Sequence, residues 1–263
     1  MFEKRIFIPC TDHDIPTVIT YPDGDGPFPC MLLLHGYMAY KEGDGYLFTK
    51  TAIECAKQGI ASARIDFCSM GENRYSRENY GLKVMLEETR TAFEALQKEE
   101  KIISDRIGIL GHSLGGRITF LSASLPSKCL VTFNGGINVK EDMSKKQPAS
   151  FKVKEEKDYT LVHTSDGRVD LLFPRFHEEM KQYRNEDIYQ YKNPVLVCVG
   201  DKDPTLDPNI SYDFVKNCGM DNVELIVISD ANHTFNAKTK DYTKVYELLD
   251  KVVPWLKKHL QEE

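Results

Sequence analysis

An α/β fold, with a mostly parallel, doubly wound sheet flanked by helices, is the class this sequence predicts. Three observations predict it. Short apolar runs alternate with segments of helical period. Runs such as 30–34 and 195–199 lack polar alternation, the mark of strands buried on both faces. The runs also close on turn-forming or reactive residues: His35-Gly36, Gly111-His112-Ser113-Leu114-Gly115, Asn134-Gly135-Gly136 and Gly200-Asp201-Lys202-Asp203. In doubly wound sheets, sites form beyond the carboxyl ends of the strands.

The elements follow in order. Residues 4–8 and 15–20 read as an antiparallel hairpin around Thr11-Asp12-His13-Asp14. After a turn rich in Pro, Gly and Asp comes the buried strand ending at His35-Gly36. A helix over about 46–58 and a strand over 61–66 follow. A clear helix is 82–97, with Leu82, Val84, Met85, Ala92, Phe93 and Leu96 on one side. Strand 107–112 leads into helix 115–123, and 129–133 is a strand closing on Asn134. The rhythm then breaks. Residues 137–190 are charged and polar, with a hairpin expected around Ser165-Asp166-Gly167-Arg168 and a helix opened by Pro174. They read as a small inserted cap, hairpin plus helix, in a core formed by 1–136 and 191–263. Alternation resumes with strand 194–200, a helix around 208–217, strand 223–229 and a helix over about 239–261.

Composition narrows the function. The 263 residues suit one large domain, and 41% hydrophobic residues are enough for a substantial core. A net charge of -6 suggests neither nucleic acid nor an anionic membrane as partner. The N-terminus has no long apolar segment of a signal peptide, and no run of ~18 apolar residues occurs. The seven cysteines are scattered, odd in number and free of Cys-x-x-Cys pairs. They indicate neither zinc site nor disulfide framework, and a cytoplasmic location is expected. The sequence is compatible with a homodimer.

The chemistry centres on Gly111-His112-Ser113-Leu114-Gly115, a nucleophile-elbow pattern between strand and helix. Five residues alone are weak support, since a glycine-rich turn can contain serine by chance. Context strengthens it. A serine hydroxyl needs a base, and the base needs a carboxylate to orient it. Asp203 stands past the end of one later strand and His233 past the next. Singly, Asp203 is as readily a turn-former and His233 a solvated loop residue. In the order Ser, Asp, His, each at a strand end, they form a candidate catalytic set. Asp207 is close enough that another loop path would substitute it for Asp203. The oxyanion donors expected are the N–H of Leu114, at the helix start, and the N–H of Tyr37, in the loop after His35-Gly36. His35 is expected to bond loop backbone, and His112 to point away from the serine in a structural role.

These motifs make the sequence similar to the α/β-hydrolase superfamily over nearly the whole chain outside the insertion. The anchors are Leu34-His35-Gly36-Tyr37, Ala63-Arg64-Ile65-Asp66-Phe67, Gly111 to Gly116, Gly200 to Pro204 and Asn232-His233-Thr234-Phe235. Within the superfamily the chain most resembles bacterial cinnamoyl/feruloyl esterase-like proteins. It differs from them at Cys68-Ser69-Met70-Gly71 and at Leu114. The resemblance implies Ser113 as nucleophile, His233 as base, Asp203 as orienting acid, and Tyr37 and Leu114 as oxyanion donors, with neither metal nor organic cofactor.

The resulting expectation is a serine carboxylesterase for small to medium esters, hydroxycinnamoyl esters among the candidates. A serine peptidase of the prolyl-oligopeptidase type shares the triad but normally carries a propeller domain, for which this length leaves no room. A thioesterase and a monoacylglycerol lipase share it too. From another class, a non-catalytic binding module on the same fold usually lacks a triad member, whereas all three positions are filled here. Labelling by a fluorophosphonate separates the enzymes from the module. Phe151, Tyr159, Phe173 and Phe176 are candidate aromatic contacts from the insertion, with packing inside the insertion the commoner role.

Overall fold

The computed structural model describes residues 1–137, 151–164 and 167–261. The expected charged stretch 140–146 and the residues Ser165 and Asp166 of the hairpin turn lie outside these, as does the Phe151 side chain.

The chain opens with β1 (Phe2–Pro9) and β2 (Asp14–Tyr21), an antiparallel pair. Then come β3 (Phe28–Leu34), α1 (Leu47–Lys57), β4 (Ala61–Ile65), α2 (Leu82–Gln97), β5 (Ile102–His112), α3 (Leu114–Leu121) and β6 (Leu130–Phe133). The insertion supplies β7 (Phe151–Glu155), β8 (Thr160–Thr164), β9 (Val169–Leu172) and α4 (Pro174–Gln182). β10 (Val195–Gly200), α5 (Asn209–Asn217), β11 (Val223–Ile228) and α6 (Thr243–Gln261) complete it.

Eight strands form one sheet in the order β1-β2-β4-β3-β5-β6-β10-β11. From β4 to β11 every neighbouring pair is parallel, and β1 and β2 join antiparallel at one edge. The two-residue period of the strands explains the layering. Leu32, Leu34, Val195 and Val197 pack with Leu82, Met85, Phe93 and Ile118 on one face. Met31, Leu33, Leu196 and Cys198 pack with Phe48, Leu249, Val252 and Trp255 on the other. Both faces are covered, so the central strands need no polar alternation. No helix among the described residues is long and apolar enough to cross a membrane.

The insertion has its own antiparallel sheet, β7-β8-β9. Buried side chains dock it on the core. Arg117 of α3 donates to the Met180 and Tyr183 carbonyls at 2.9 Å each, closing the end of α4. Glu179 of α4 accepts the Lys83 N–H at the start of α2, also at 2.9 Å. Arg77, in the loop between β4 and α2, pairs with Asp170 of β9 and donates to the Leu171 carbonyl at 3.0 Å.

Candidate active site

Ser113 sits where β5 turns into α3, at φ 55° and ψ -117°. This left-handed backbone is costly for a residue with a Cβ and is held by its surroundings. Ser113 N–H donates to the Phe133 carbonyl, and its own carbonyl accepts from Gly136 N–H, both at 3.0 Å. The flanking glycines permit the turn. A Cβ on Gly115 would overlap the Leu34 carbonyl, and one on Gly111 would overlap the Gly115 carbonyl. Leu114 opens α3, so its N–H has no intrahelical acceptor.

The loop after β3 passes beside the serine. A Cβ on Gly36 would lie 3.0 Å from Ser113 Cβ. The Gly36 carbonyl accepts from His35 Nδ1 at 2.8 Å and from Ala39 N–H at 3.3 Å. In a planar trans peptide the N–H points opposite to the C=O, so these bonds turn the Tyr37 N–H the other way. His35 Nε2 accepts the Phe67 N–H at 3.0 Å, which leaves Nδ1 as the protonated nitrogen. Burial pushes the His35 pKa down and keeps the ring neutral. The expected structural role of His35 is the one its bonds describe.

Asp203 and His233 meet. His233 Nδ1 donates to Asp203 Oδ2 at 2.6 Å. The other carboxylate oxygen accepts from Thr205 N–H at 2.7 Å and Leu206 N–H at 3.0 Å, which fixes its orientation. Asp203 is 8% exposed. Asp207 is instead taken up by Asn209, whose N–H and Nδ2 it accepts at 3.0 and 2.9 Å ahead of α5. Asp201 accepts the Asp230 N–H at 2.7 Å, the bond of a turn residue. Ser113 and His233 make no hydrogen bond with each other among the described residues, and such bonds commonly tighten only when substrate binds.

Two further residues belong to the site. His112 Nε2 reaches back to donate to the His233 carbonyl at 2.7 Å, with the two rings 4.8 Å apart. The expectation that His112 is structural stands, but its contact is the backbone of His233 itself. Burial and the neighbouring His233 lower the His112 pKa to about 4. Asn134 Nδ2 donates to the same carbonyl at 3.0 Å. Only the Asn-Gly-Gly tripeptide at a strand end signalled Asn134 in the sequence.

The wall beside Tyr37 is aromatic. Tyr37, Tyr80 and Phe176 have ring centroids 5.6–6.3 Å apart, so the loop after β3, the β4–α2 loop and α4 share one cluster. Arg77 lies 3.6 Å over the Tyr80 ring. The Tyr37 phenol faces the Asp170 carboxylate, and burial pushes its pKa far up. Arg168 of the insertion donates to the Met38 carbonyl at 2.6 Å. Tyr159 and Phe173 pack near each other at 6.5 Å. Phe176 of the insertion thus reaches the loop carrying Tyr37.

A mostly parallel sheet, a strained serine elbow on its central strand, and an Asp–His pair at the ends of later strands define an α/β-hydrolase. The comparisons agree. The solved structure of Est1E from Butyrivibrio proteoclasticus with bound ferulic acid superposes with a TM-score of 0.82 at 19% identity, over 98% of this chain and 100% of that one. At that identity the likeness concerns the fold. An uncharacterised 31.7 kDa protein of Escherichia coli is 25% identical over 95% of this chain and 99% of its own length. Esterase EstD of Thermotoga maritima is 33% identical, over 41% of this chain and 27% of that protein. Residues 56–263 match the model of the prolyl oligopeptidase family, and the chain belongs to that family.

Proposed function

We propose that the protein is a serine carboxylesterase acting through an acyl-enzyme on small to medium carboxylic esters. The observation that carries this reading is the 2.6 Å bond between His233 Nδ1 and Asp203. It fixes the tautomer in which Nε2 is the basic nitrogen, the requirement for activating a serine.

In this mechanism His233 Nε2 takes the proton of Ser113 Oγ as the oxygen attacks the ester carbonyl. The Tyr37 and Leu114 N–H groups receive the oxyanion, each worth roughly 2.7–4 kcal/mol in comparable sites. The imidazolium then gives its proton to the alkoxide, and the alcohol departs. Water, deprotonated by His233, attacks the acyl-enzyme and returns Ser113. Asp203 stabilises the imidazolium without taking its proton. Every step is proton transfer and acyl transfer between these side chains, substrate and water.

The aromatic cluster of Tyr37, Tyr80 and Phe176 supports an acyl group with a flat or apolar portion. That Est1E binds ferulic acid brings hydroxycinnamoyl esters into the range to be tried. The family assignment brings amides as a second substrate class. The test compares p-nitrophenyl acetate, butyrate and octanoate, methyl ferulate and a prolyl p-nitroanilide, with wild type and Ser113→Ala in parallel. Ester turnover and fluorophosphonate labelling, both lost in Ser113→Ala, are expected. Turnover of the anilide alone would replace the esterase reading with a peptidase. Absence of both turnover and labelling in folded wild type would overturn the serine mechanism.

A further inference from the structure

The tripeptide Asn134-Gly135-Gly136, at the end of β6, touches all three loops that bear the proposed triad. Gly136 N–H holds the Ser113 carbonyl at 3.0 Å. Asn134 Oδ1 accepts the Gly200 N–H at 2.8 Å, three residues before Asp203. Asn134 Nδ2 donates to the carbonyls of His233 at 3.0 Å and Asn232 at 3.3 Å. The Asn134 backbone N–H is itself fixed on the Cys198 carbonyl at 2.8 Å. The packing leaves no slack, since a Cβ on Gly116 of α3 would lie 2.6 Å from Gly135 Cα.

The loop bearing His233 needs such external ties. Asp230, Phe235 and Asn236 all have positive φ, at 56°, 51° and 64°. Three left-handed non-glycine residues within seven positions persist only where the surroundings over-determine them. The bond to Asp203 fixes one edge of the imidazole but leaves the ring free to move with its backbone. Fixing the His233 carbonyl removes that freedom. Two side chains do so from two strands: Asn134 after β6, and His112 at the end of β5.

We propose that Asn134 is a positioning residue for the base: its amide fixes the His233 backbone, and with it the placement of the imidazole against Ser113. The inference rests on the serine-hydrolase reading above. The chemistry of the position is specific. It needs a donor towards two carbonyls and an acceptor towards an N–H, at a backbone φ of 43°. Asparagine supplies both functions and tolerates the left-handed region better than other residues with a side chain. At 3% exposure, Asn134 has little water to replace these bonds.

The experiment uses the full-length protein and two variants. Asn134→Gly accepts the positive φ and deletes both side-chain functions. Asn134→Asp keeps the shape and the acceptor but loses the donor towards the two carbonyls. Two readouts are taken: kcat and KM on p-nitrophenyl butyrate, and the low-field proton resonance of His233 Nδ1–H. Both variants are expected to lose about 10- to 100-fold in kcat with KM within about threefold. Their Nδ1–H resonance is expected to shift or broaden, which a role in stability alone would not produce. An Asn134→Asp protein with wild-type kcat and resonance overturns the proposal. If Asn134→Gly does not fold, the isosteric Asn134→Asp decides. If that also fails to fold, Asn134 is a determinant of the fold and the proposal is wrong. A wild type without ester turnover overturns the esterase reading, while the resonance still tells whether Asn134 positions His233.

Discussion

Phe67, in the loop after β4, donates its backbone N–H to His35 Nε2 at 3.0 Å, and through that bond it sets the orientation of a peptide two loops away. The ring can then protonate only Nδ1, and Nδ1 grips the Gly36 carbonyl. The Gly36–Tyr37 peptide is thereby held against flipping. The proposed oxyanion donor is thus preorganised by a side chain that never meets substrate.

Replacing His35 by Phe is therefore expected to lower kcat on p-nitrophenyl esters by about 10- to 100-fold, with stability reduced by about 1–3 kcal/mol for the orphaned Phe67 N–H, the Gly36 carbonyl keeping only its 3.3 Å bond from Ala39 N–H. Steady-state kinetics and urea unfolding on the same preparation test this. Wild-type kcat in a folded variant would show that the peptide holds its orientation unaided.

The two candidate acids are to be separated by charge-neutral substitution. Asp203→Asn is expected to lose about 10⁴-fold in kcat, because the amide favours the wrong imidazole tautomer. Asp207→Asn keeps the acceptor used by Asn209 and is expected to stay within about threefold of wild type. Equal losses in both would mean that the Asp207 loop reaches the site.

The insertion is expected to act on the site through β9. Asp170→Ala leaves the largely buried Arg77 without its carboxylate and removes the group facing the Tyr37 phenol. The expected result is a stability loss of about 1–3 kcal/mol, faster proteolysis within 151–182, and a raised KM. A variant cut no faster than wild type would place the hold on the insertion in α4, with Arg117 and Glu179.

His112 gives a pH dependence of known sign. Its folded pKa of about 4 lies below the ordinary histidine value of 6.5. Between these values the unfolded chain binds a proton that the folded chain does not, so stability falls as pH drops from about 6.5 towards 4. The full effect is at most about 3 kcal/mol, and it is complete below pH 4. Denaturant unfolding of wild type and His112→Gln across this range measures the difference. Parallel curves would mean that His112 charges in place.

The fold and the Ser113, Asp203 and His233 positions were legible because each lies where an apolar run stops, and one sequence displays such stops. Other features were not. β7 was hidden because Lys152, Lys154 and Glu155 outnumber the apolar Phe151 and Val153 in a five-residue strand, which reads as a charged run. β5 begins at Ile102 rather than 107: Ile102 pairs with Phe28, the register then shifts before Ile107 pairs with Cys30, and the exposed Ser104 and Asp105 between them break the apolar run. α6 begins at Thr243 rather than 239: Lys240 is left-handed, and Asp241 caps the new start by accepting the Thr243 N–H at 3.0 Å. The role of Asn134 was invisible because its side-chain partners, Gly200, Asn232 and His233, lie far along the chain.

β6 and β10 are neighbours in the sheet, yet the whole insertion separates them in sequence, from Phe133 to Val195. Closing so long a loop is slow relative to forming the local β3–α1–β4 unit. Asp203 and His233 both lie after that closure, whereas Ser113 lies before it. During refolding the nucleophile's turn can therefore exist while its partners are still absent. Recovery of activity should lag behind recovery of secondary structure, so that turnover reports the last long-range event in the maturation of this chain.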